Sequence, residues 1–386
     1  MNTATILVGD VIDRLQEVPD NSVQTCITSP PYWGLRDYGT ASWTGGDESC
    51  EHVQDASKTK KFGNEAFNEN RPSREETKTK GYYFDQECGL CGAVREDEQL
   101  GLEASPEEYV ENLVEVFRHV WRVLADDGTL WLNLGDSYAG SGKGRRSDGT
   151  HAPGGKQGTN AGTIMGRLHK TETPDGLKPK DLVGIPWRVA LALQADGWYL
   201  RQDIIWAKPN PMPESVTDRC TKSHEYLFLL SKSPQYVYDH EAIKEDAVTS
   251  GRVGTFGGEK ARQTEITEND PRYRAGAEQR GRTITVSDKR NKRSVWTVPT
   301  KPFKGAHFAV MPESLVEPCV LAGSAKGDTV LDPFAGSGTV GVVSLRHGRN
   351  FIGCELNPDY ASIAESRIES ESPLFNTVRV VPERKK

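Results

Sequence analysis

Asp328-Thr329-Val330-Leu331-Asp332-Pro333-Phe334-Ala335-Gly336-Ser337-Gly338-Thr339-Val340 reads as a strand, a Gly-rich turn and the first residues of a helix. Gly336 and Gly338 let the backbone come close to a ligand, and Thr339 opens a helix whose first N–H groups have no partner within the helix. One helix later comes a second strand, Asn350-Phe351-Ile352-Gly353-Cys354-Glu355. Its last residue, Glu355, lies 23 residues beyond Asp332. An acid at that strand end can accept from a ribose diol, as in dinucleotide-binding βαβ units.

A second stretch lies near the other end of the chain. Val23-Gln24-Thr25-Cys26-Ile27-Thr28 has the pattern of a buried strand and runs into Ser29-Pro30-Pro31-Tyr32-Trp33. The two prolines end the strand, because each lacks an N–H and holds φ near −65°. The outcome is a stiff loop. Ser29 Oγ and the Pro30 carbonyl are acceptors, and Tyr32 supplies a flat ring. Two fixed acceptors beside an aromatic face suit an exocyclic NH2 on a planar heterocycle. Hydrogen bonds from both amino protons favour a more tetrahedral nitrogen and free its lone pair. A plain Pro-rich turn at a strand end is the alternative reading of the same residues.

Together the two stretches resemble the amino-methylating DNA methyltransferases that use S-adenosylmethionine. The catalytic motif precedes the cofactor motif, as in the permuted β arrangement of that family. The resemblance implies a mainly parallel, Rossmann-like α/β sheet with flanking helices and polar inserts. It implies catalysis by Ser29, Pro30, Pro31 and Tyr32. Cofactor contacts are expected from Asp332, Phe334, Gly336, Ser337, Gly338, Thr339 and Glu355. They are also expected from Asp10, which otherwise caps the following helix, and from His307 and Phe308. Met311 stands where family members often carry Lys. Members with Ser at the first motif position are mostly cytosine-N4 enzymes, those with Asp mostly adenine-N6 enzymes. Ser29 therefore favours cytosine-N4 over adenine-N6. Other readings are a zinc-containing DNA-binding protein with an inactive methyltransferase fold, and a methylase of RNA or protein glutamine.

The chain has 386 residues, enough for one main domain plus inserts. The expected parts are 1–33, carrying the catalytic loop; 34–100, an insert; 101–240, methyltransferase domain with a flexible basic loop at 139–180; 241–304, a target-recognition insert; 305–370, the cofactor part; and 371–386, a fraying tail. No apolar run is long enough to span a bilayer and no charged-then-apolar leader is present, so a cytoplasmic protein without membrane contact is expected. The seven cysteines are odd in number and scattered, which argues against a disulfide framework.

The net charge of −7 does not advertise a nucleic-acid partner, but binding needs only a local basic surface. Residues 252–304 carry thirteen Lys/Arg against six Asp/Glu. Arg272, Arg274, Arg280, Arg282, Arg290 and Arg293 are candidate contacts to double-stranded DNA, with Lys208 in the Pro-rich loop after a strand. A solvated charged loop is the alternative. The target base must leave the duplex to reach Ser29. A monomer or homodimer is expected, and the resemblance leaves room for a cognate restriction enzyme.

The first insert holds Cys50-Glu51-His52 and Cys88-Gly89-Leu90-Cys91-Gly92. Cys-x-x-Cys-Gly is half of a zinc knuckle, and Cys50 with His52 could complete a tetrahedral set for one structural Zn2+. A metal would also explain how so polar an insert folds. Elsewhere, Ser105-Pro106-Glu107-Glu108 opens a helix with a capping box, which Asp126-Asp127-Gly128 is expected to end, and Asp136 is a candidate for the base pocket or a turn cap. Ser223 to Glu225 reads as a helical turn before a buried strand.

Overall fold

Strands from both ends of the chain interleave in one sheet. The structure, a computed structural model, describes residues 2–34, 40, 42–47, 49–50, 88, 90–96, 99–103, 105–139, 176–247, 253–255, 283–285, 288–300, 310–371 and 376–383. In chain order the strands are β1 (Asn2–Val8), β2 (Val23–Thr28), β3 (Ser42–Thr44), β4 (Val94–Glu96), β5 (Leu124–Leu134), β6 (Tyr199–Ala207) and β7 (His224–Ser231). There follow β8 (Glu245–Asp246), β9 (Val253–Thr255), β10 (Thr283–Thr285), β11 (Lys289–Arg290), β12 (Val295–Thr297), β13 (Thr329–Asp332), β14 (Asn350–Glu355) and β15 (Asn376–Val381). The helices are α1 (Val11–Gln16), α2 (Pro106–Val123), α3 (Ile185–Ala195), α4 (Glu313–Gly323), α5 (Thr339–Arg346) and α6 (Pro358–Glu371).

The main sheet has nine strands in the order β12-β6-β7-β5-β2-β13-β14-β1-β15. Only β7 runs antiparallel to its neighbours, β5 and β6; the other pairings are parallel. This is the expected mainly parallel α/β sheet. Near its middle β2 and β13 lie side by side, with Thr25 opposite Val330 and Cys26 opposite Leu331. From that seam the order runs outward in both directions, which opens a crevice beyond the carboxyl ends of the two strands. The permutation is visible too: β1, from the start of the chain, lies between β14 and β15 from its end.

The helices form where the local sequence asks for them. Ser105 Oγ accepts from Glu108 N–H at 3.1 Å, Pro106 occupies the first turn, and Tyr109, Leu113, Val116, Phe117 and Val120 of α2 are buried. These side chains join Leu15, Val23, Leu130, Leu132 and Phe228 in the central core.

Three expectations are corrected. Part of the tail is ordered: Asn376–Val381 is the edge strand β15, pairing in parallel with β1. Buried Arg14 reinforces the join, donating to the carbonyls of Val8, Val381 and Pro382. Ser223 to Glu225 is no helical turn, since β7 already begins at His224, with Ala207 as its partner. Asp126-Asp127-Gly128 does not end α2, which stops at Val123 and passes straight into β5.

Two units are distinguished, Met1–Val237 with Ser294–Lys386, and Tyr238–Arg293. The second contains two short antiparallel pairings, β8 with β11 and β9 with β10. Within it Glu245 pairs with both Arg290 (2.9 Å) and Arg293 (2.7 Å). Two of the six arginines expected to contact DNA thus share one carboxylate, and Arg293 keeps two thirds of its side chain exposed. Arg272, Arg274, Arg280 and Arg282 lie outside the described residues, as does most of the loop at 139–180. Among the described residues no helix is long and apolar enough to cross a membrane.

Candidate active site

Ser29-Pro30-Pro31-Tyr32 leaves the end of β2 and Asp332-Pro333-Phe334 leaves the end of β13. Adjacent parallel strands therefore bring together two stretches some 300 residues apart in sequence. One hydrogen bond joins them directly: Thr28 Oγ1 donates to Asp332 Oδ1 at 2.6 Å. The same carboxylate oxygen accepts from Phe334 N–H at 3.1 Å. A cleft opens above this seam. Its walls include Asp10, Val11, Ser29, Pro31, Asp332, Phe334, Gly336, Ser337, Thr339 and Glu355. Thr40, Gln99 and Leu100 close it from the first insert.

On the cofactor side three carboxylates, of Asp10, Asp332 and Glu355, line the cleft. Asp332 is buried, and loss of water, with a smaller push from the Glu355 charge, raises its pKa to about 7. Burial also lifts Glu355 above the usual carboxylate range, although Asn357 N–H (2.9 Å) and Gly336 N–H (2.8 Å) donate to it. Asp10 is a helix cap at the wall of the cleft. Its Oδ1 caps α1 through Ile12 N–H (2.9 Å) and Asp13 N–H (3.2 Å), and the residue lines the cleft.

Gly336 has φ +52° and open space where a Cβ would stand for all but a distant contact, which leaves its backbone bare towards a ligand. Gly338 is the exception among the cofactor candidates. It does not line the cleft; it has φ +77°, and a Cβ there would meet Ala364 at 2.8 Å. Its role is to turn the chain into α5 tightly against α6. His307 and Phe308 lie outside the described residues, whereas Val310 and Met311 reach the cleft wall.

The Ser-Pro-Pro-Tyr side is neutral and fully braced. Tyr109 Oη donates to the Pro31 carbonyl at 2.8 Å, while no described residue donates to the Pro30 carbonyl. Gly34 N–H donates to Gly101 O (2.8 Å) and Trp33 Nε1–H to Glu103 O (3.0 Å), which holds the loop from behind. Tyr32 Oη receives a weak bond from Ser29 Oγ at 3.3 Å. It lies 2.8 Å from Glu225 Oε2 and 3.0 Å from Asn133 Oδ1. The phenol has one proton, and the charged, nearer Glu225 oxygen is the better acceptor. Burial and the Glu225 charge push the Tyr32 pKa well up, so the phenol stays protonated. The ring leans on Gly135, where a Cβ would come within 2.5 Å of Cε2.

Several partners were not foreseen in these roles. Glu225 pairs with Lys208, whose ammonium also sits 4.1 Å over the Trp206 ring. Lys208, expected as a DNA contact, is thus committed to a carboxylate that itself braces Tyr32. Arg367 on α6 grips the Gly-rich turn, donating to Ser337 Oγ (2.7 Å) and Thr339 Oγ1 (3.2 Å). Asp136 proves to be a cap: its Oδ1 accepts from Ser137, Gly184 and Ile185 N–H at the start of α3. Thr28 had a signal in the sequence, since it ends the strand immediately before Ser29. Arg367 and Tyr109 had none, being ordinary helical residues by pattern. Cys50, Cys88 and Cys91 come together, and His52 lies outside the described residues.

An open α/β sheet with acids and a Gly-rich turn at its strand ends, beside a rigid Ser-Pro-Pro-Tyr loop, defines the S-adenosylmethionine-methyltransferase fold class. Comparison with known proteins sharpens this. A family model described as DNA methylase, for N6 and N4 methyltransferases, matches residues 23–366. The Type II methyltransferase M.Cfr9I of Citrobacter freundii is 40% identical over 98% of this chain and 92% of its own. M.SmaI, a Type II methyltransferase of Serratia marcescens, is 40% identical over 95% of this chain and 91% of its own. The solved PvuII DNA methyltransferase (cytosine-N4-specific) has a TM-score of 0.51 at 15% identity, covering 98% of this chain and 95% of that one, a likeness of fold. The chain belongs to the N6/N4 DNA methylase family.

Proposed function

We propose that this protein transfers a methyl group from S-adenosylmethionine to the exocyclic amino nitrogen of a base flipped out of double-stranded DNA, with cytosine N4 as the target. One observation carries the reading. The acceptor loop and the acid-lined cleft share a wall, with Thr28 Oγ1 on Asp332 Oδ1 at 2.6 Å, so a base at Ser29 and a ligand in the cleft are neighbours.

The residues of the cleft fit S-adenosylmethionine. Buried carboxylates whose proton affinity is raised by burial call for a ligand that brings positive charge and hydroxyl donors. Val11, Pro333, Phe334 and Leu356 offer apolar surface for a flat ring. Glu355, at the end of β14, is placed to accept from a ribose, and Asp10 from an amino group. When bound, the cofactor supplies a methyl group activated on a sulfonium.

The chain's own part is positioning. Ser29 Oγ and the Pro30 carbonyl accept the two amino protons, which favours a tetrahedral nitrogen. Tyr32, pinned by Glu225 and Gly135, fixes the plane against which the base rests. No strong base is needed, since the methylated nitrogen is acidified and loses its proton to water. Ser29 in place of Asp supports cytosine over adenine; a neutral first residue suits that choice in the family the sequence resembles. Relatives named as Type II methyltransferases support a place as the modification partner of a restriction enzyme.

The test is to incubate purified protein with unmethylated genomic DNA and S-adenosylmethionine, digest, and identify the new nucleoside by mass spectrometry. N4-methylcytosine is expected. N6-methyladenine would overturn the choice of base, and absence of both would overturn the activity.

A further inference from the structure

The sulfurs of Cys50, Cys88 and Cys91 lie within 4.8 Å of one another. Cys50 Sγ and Cys88 Sγ are 3.8 Å apart. A tetrahedral zinc ion with sulfur ligands at about 2.3 Å places those sulfurs roughly 3.8 Å from each other. The backbone is shaped for such a centre. Cys88 N–H donates to Ala93 O at 2.7 Å and Gly92 N–H to Cys88 O at 2.9 Å, which closes a tight turn. Gly92, with φ +72°, supplies the left-handed residue that the turn requires. From the facing arm Gly46 approaches so closely that a Cβ would stand 2.8 Å from Cys91 Sγ.

We propose that Cys50, Cys88 and Cys91 supply three of the four ligands of one structural zinc ion. The pairing of β3 with β4, three residues on each strand, is too small to persist on its own. Metal binding supplies the missing folding free energy. The hairpin is also where the cleft gains its third wall. Thr40 precedes β3, and Gln99 and Leu100 follow β4; all three line the cleft. Immediately beyond, Gly101 and Glu103 accept from Gly34 and Trp33 behind the Ser-Pro-Pro-Tyr loop. The zinc would staple the two ends of the long polar insert so that they stay against that loop. This role does not depend on which base is methylated.

The full chain, purified without chelator, is expected to carry about one zinc ion per molecule by plasma mass spectrometry. The double variant Cys88→Ser/Cys91→Ser is expected to retain less than about a tenth of it. That variant can also lose metal by not folding, so the wild-type thiols provide a second measurement. With iodoacetamide and peptide mapping, Cys91 should react roughly ten-fold faster after zinc is stripped. Exposed Cys220 should react at one rate throughout. Wild-type protein that holds no zinc after reconstitution, or a Cys91 equally reactive with and without zinc, would overturn the proposal.

Discussion

The two rims of the cleft solve opposite problems. On the rim that follows β2, every polar group that braces the loop is satisfied within the protein: Tyr32 by Glu225, Pro31 by Tyr109, Trp33 by Glu103. On the rim that follows β13 and β14, Asp332 is buried and Glu355 half-buried, both with their proton affinity raised, and among the described residues N–H and hydroxyl donors relieve them. The first rim is rigid before any ligand arrives. The second carries a desolvation cost that a cationic ligand relieves. Rate should therefore depend on the first rim, and cofactor affinity and pH response on the second.

The sharpest way to break this division is Ser29→Ala. It removes one of two acceptors for the amino group and should lower kcat on the order of 100-fold. Cofactor affinity by calorimetry should stay unchanged; a large loss of affinity would mean the rims are not separable. On the other rim, Asp332→Asn keeps an acceptor for Thr28 and Phe334 but removes the charge. Cofactor affinity should fall roughly ten-fold, about 1.4 kcal/mol.

The pH response of Asp332 has a definite sign. Its pKa is about 7 in the fold against about 3.9 in an unfolded chain. Stability from the protonated form is therefore complete below the unfolded value and is lost as pH rises through about 7. In the ligand-free protein, thermal melts should show Asp332→Asn stabilised relative to wild type at pH 8, by up to a few kcal/mol. Cofactor binding runs the other way. A cationic ligand prefers the carboxylate, so wild-type affinity should weaken as pH drops below 7, and the Asn variant should lose that slope.

Smaller effects should come from the bracing of Tyr32. Glu225→Gln leaves Lys208 without its counter-charge and weakens the acceptor for the phenol. We expect kcat to fall about ten-fold, with the cofactor Kd unmoved. Gly135→Ala would push a methyl into the Tyr32 ring, since that Cβ falls 2.5 Å from Cε2. A several-fold loss of kcat is expected, at a stability cost of about 1–3 kcal/mol in a denaturant titration. If the Ala variant were as fast as wild type, the ring's position would not matter to the reaction.

Much of the cofactor rim was readable in the sequence because it is local. Asp332, the Gly-rich turn, α5 and Glu355 form one continuous βαβ unit, and strand ends can be placed by pattern alone. The Tyr32 rim was readable only as a motif. Its supports, Tyr109, Asn133 and Glu225, lie 77, 101 and 193 residues further along. No spacing rule connects them, because their meeting depends on the strand order. The same reason explains the errors. Asn376–Val381 is a strand because β1 has an open edge to pair with, which the local pattern of the tail does not reveal. The Lys208–Glu225 pair was not legible either, because it joins the loop after β6 to the start of the neighbouring strand β7.

By itself the sequence determined the family, the α/β class, the permuted order of the motifs and part of the cleft lining, among it Asp10, Asp332, Phe334, Gly336, Ser337, Thr339 and Glu355. Each follows from short-range constraints: glycines that allow close approach, prolines that stop a strand, alternation of apolar residues. Only the tertiary structure decided that Thr28 is bonded to Asp332, that Lys208 braces Tyr32 through Glu225, and that three cysteines from the two ends of a polar insert share one point. Those facts depend on which strands lie side by side, and that arrangement is set by packing of the whole sheet rather than by any stretch within it.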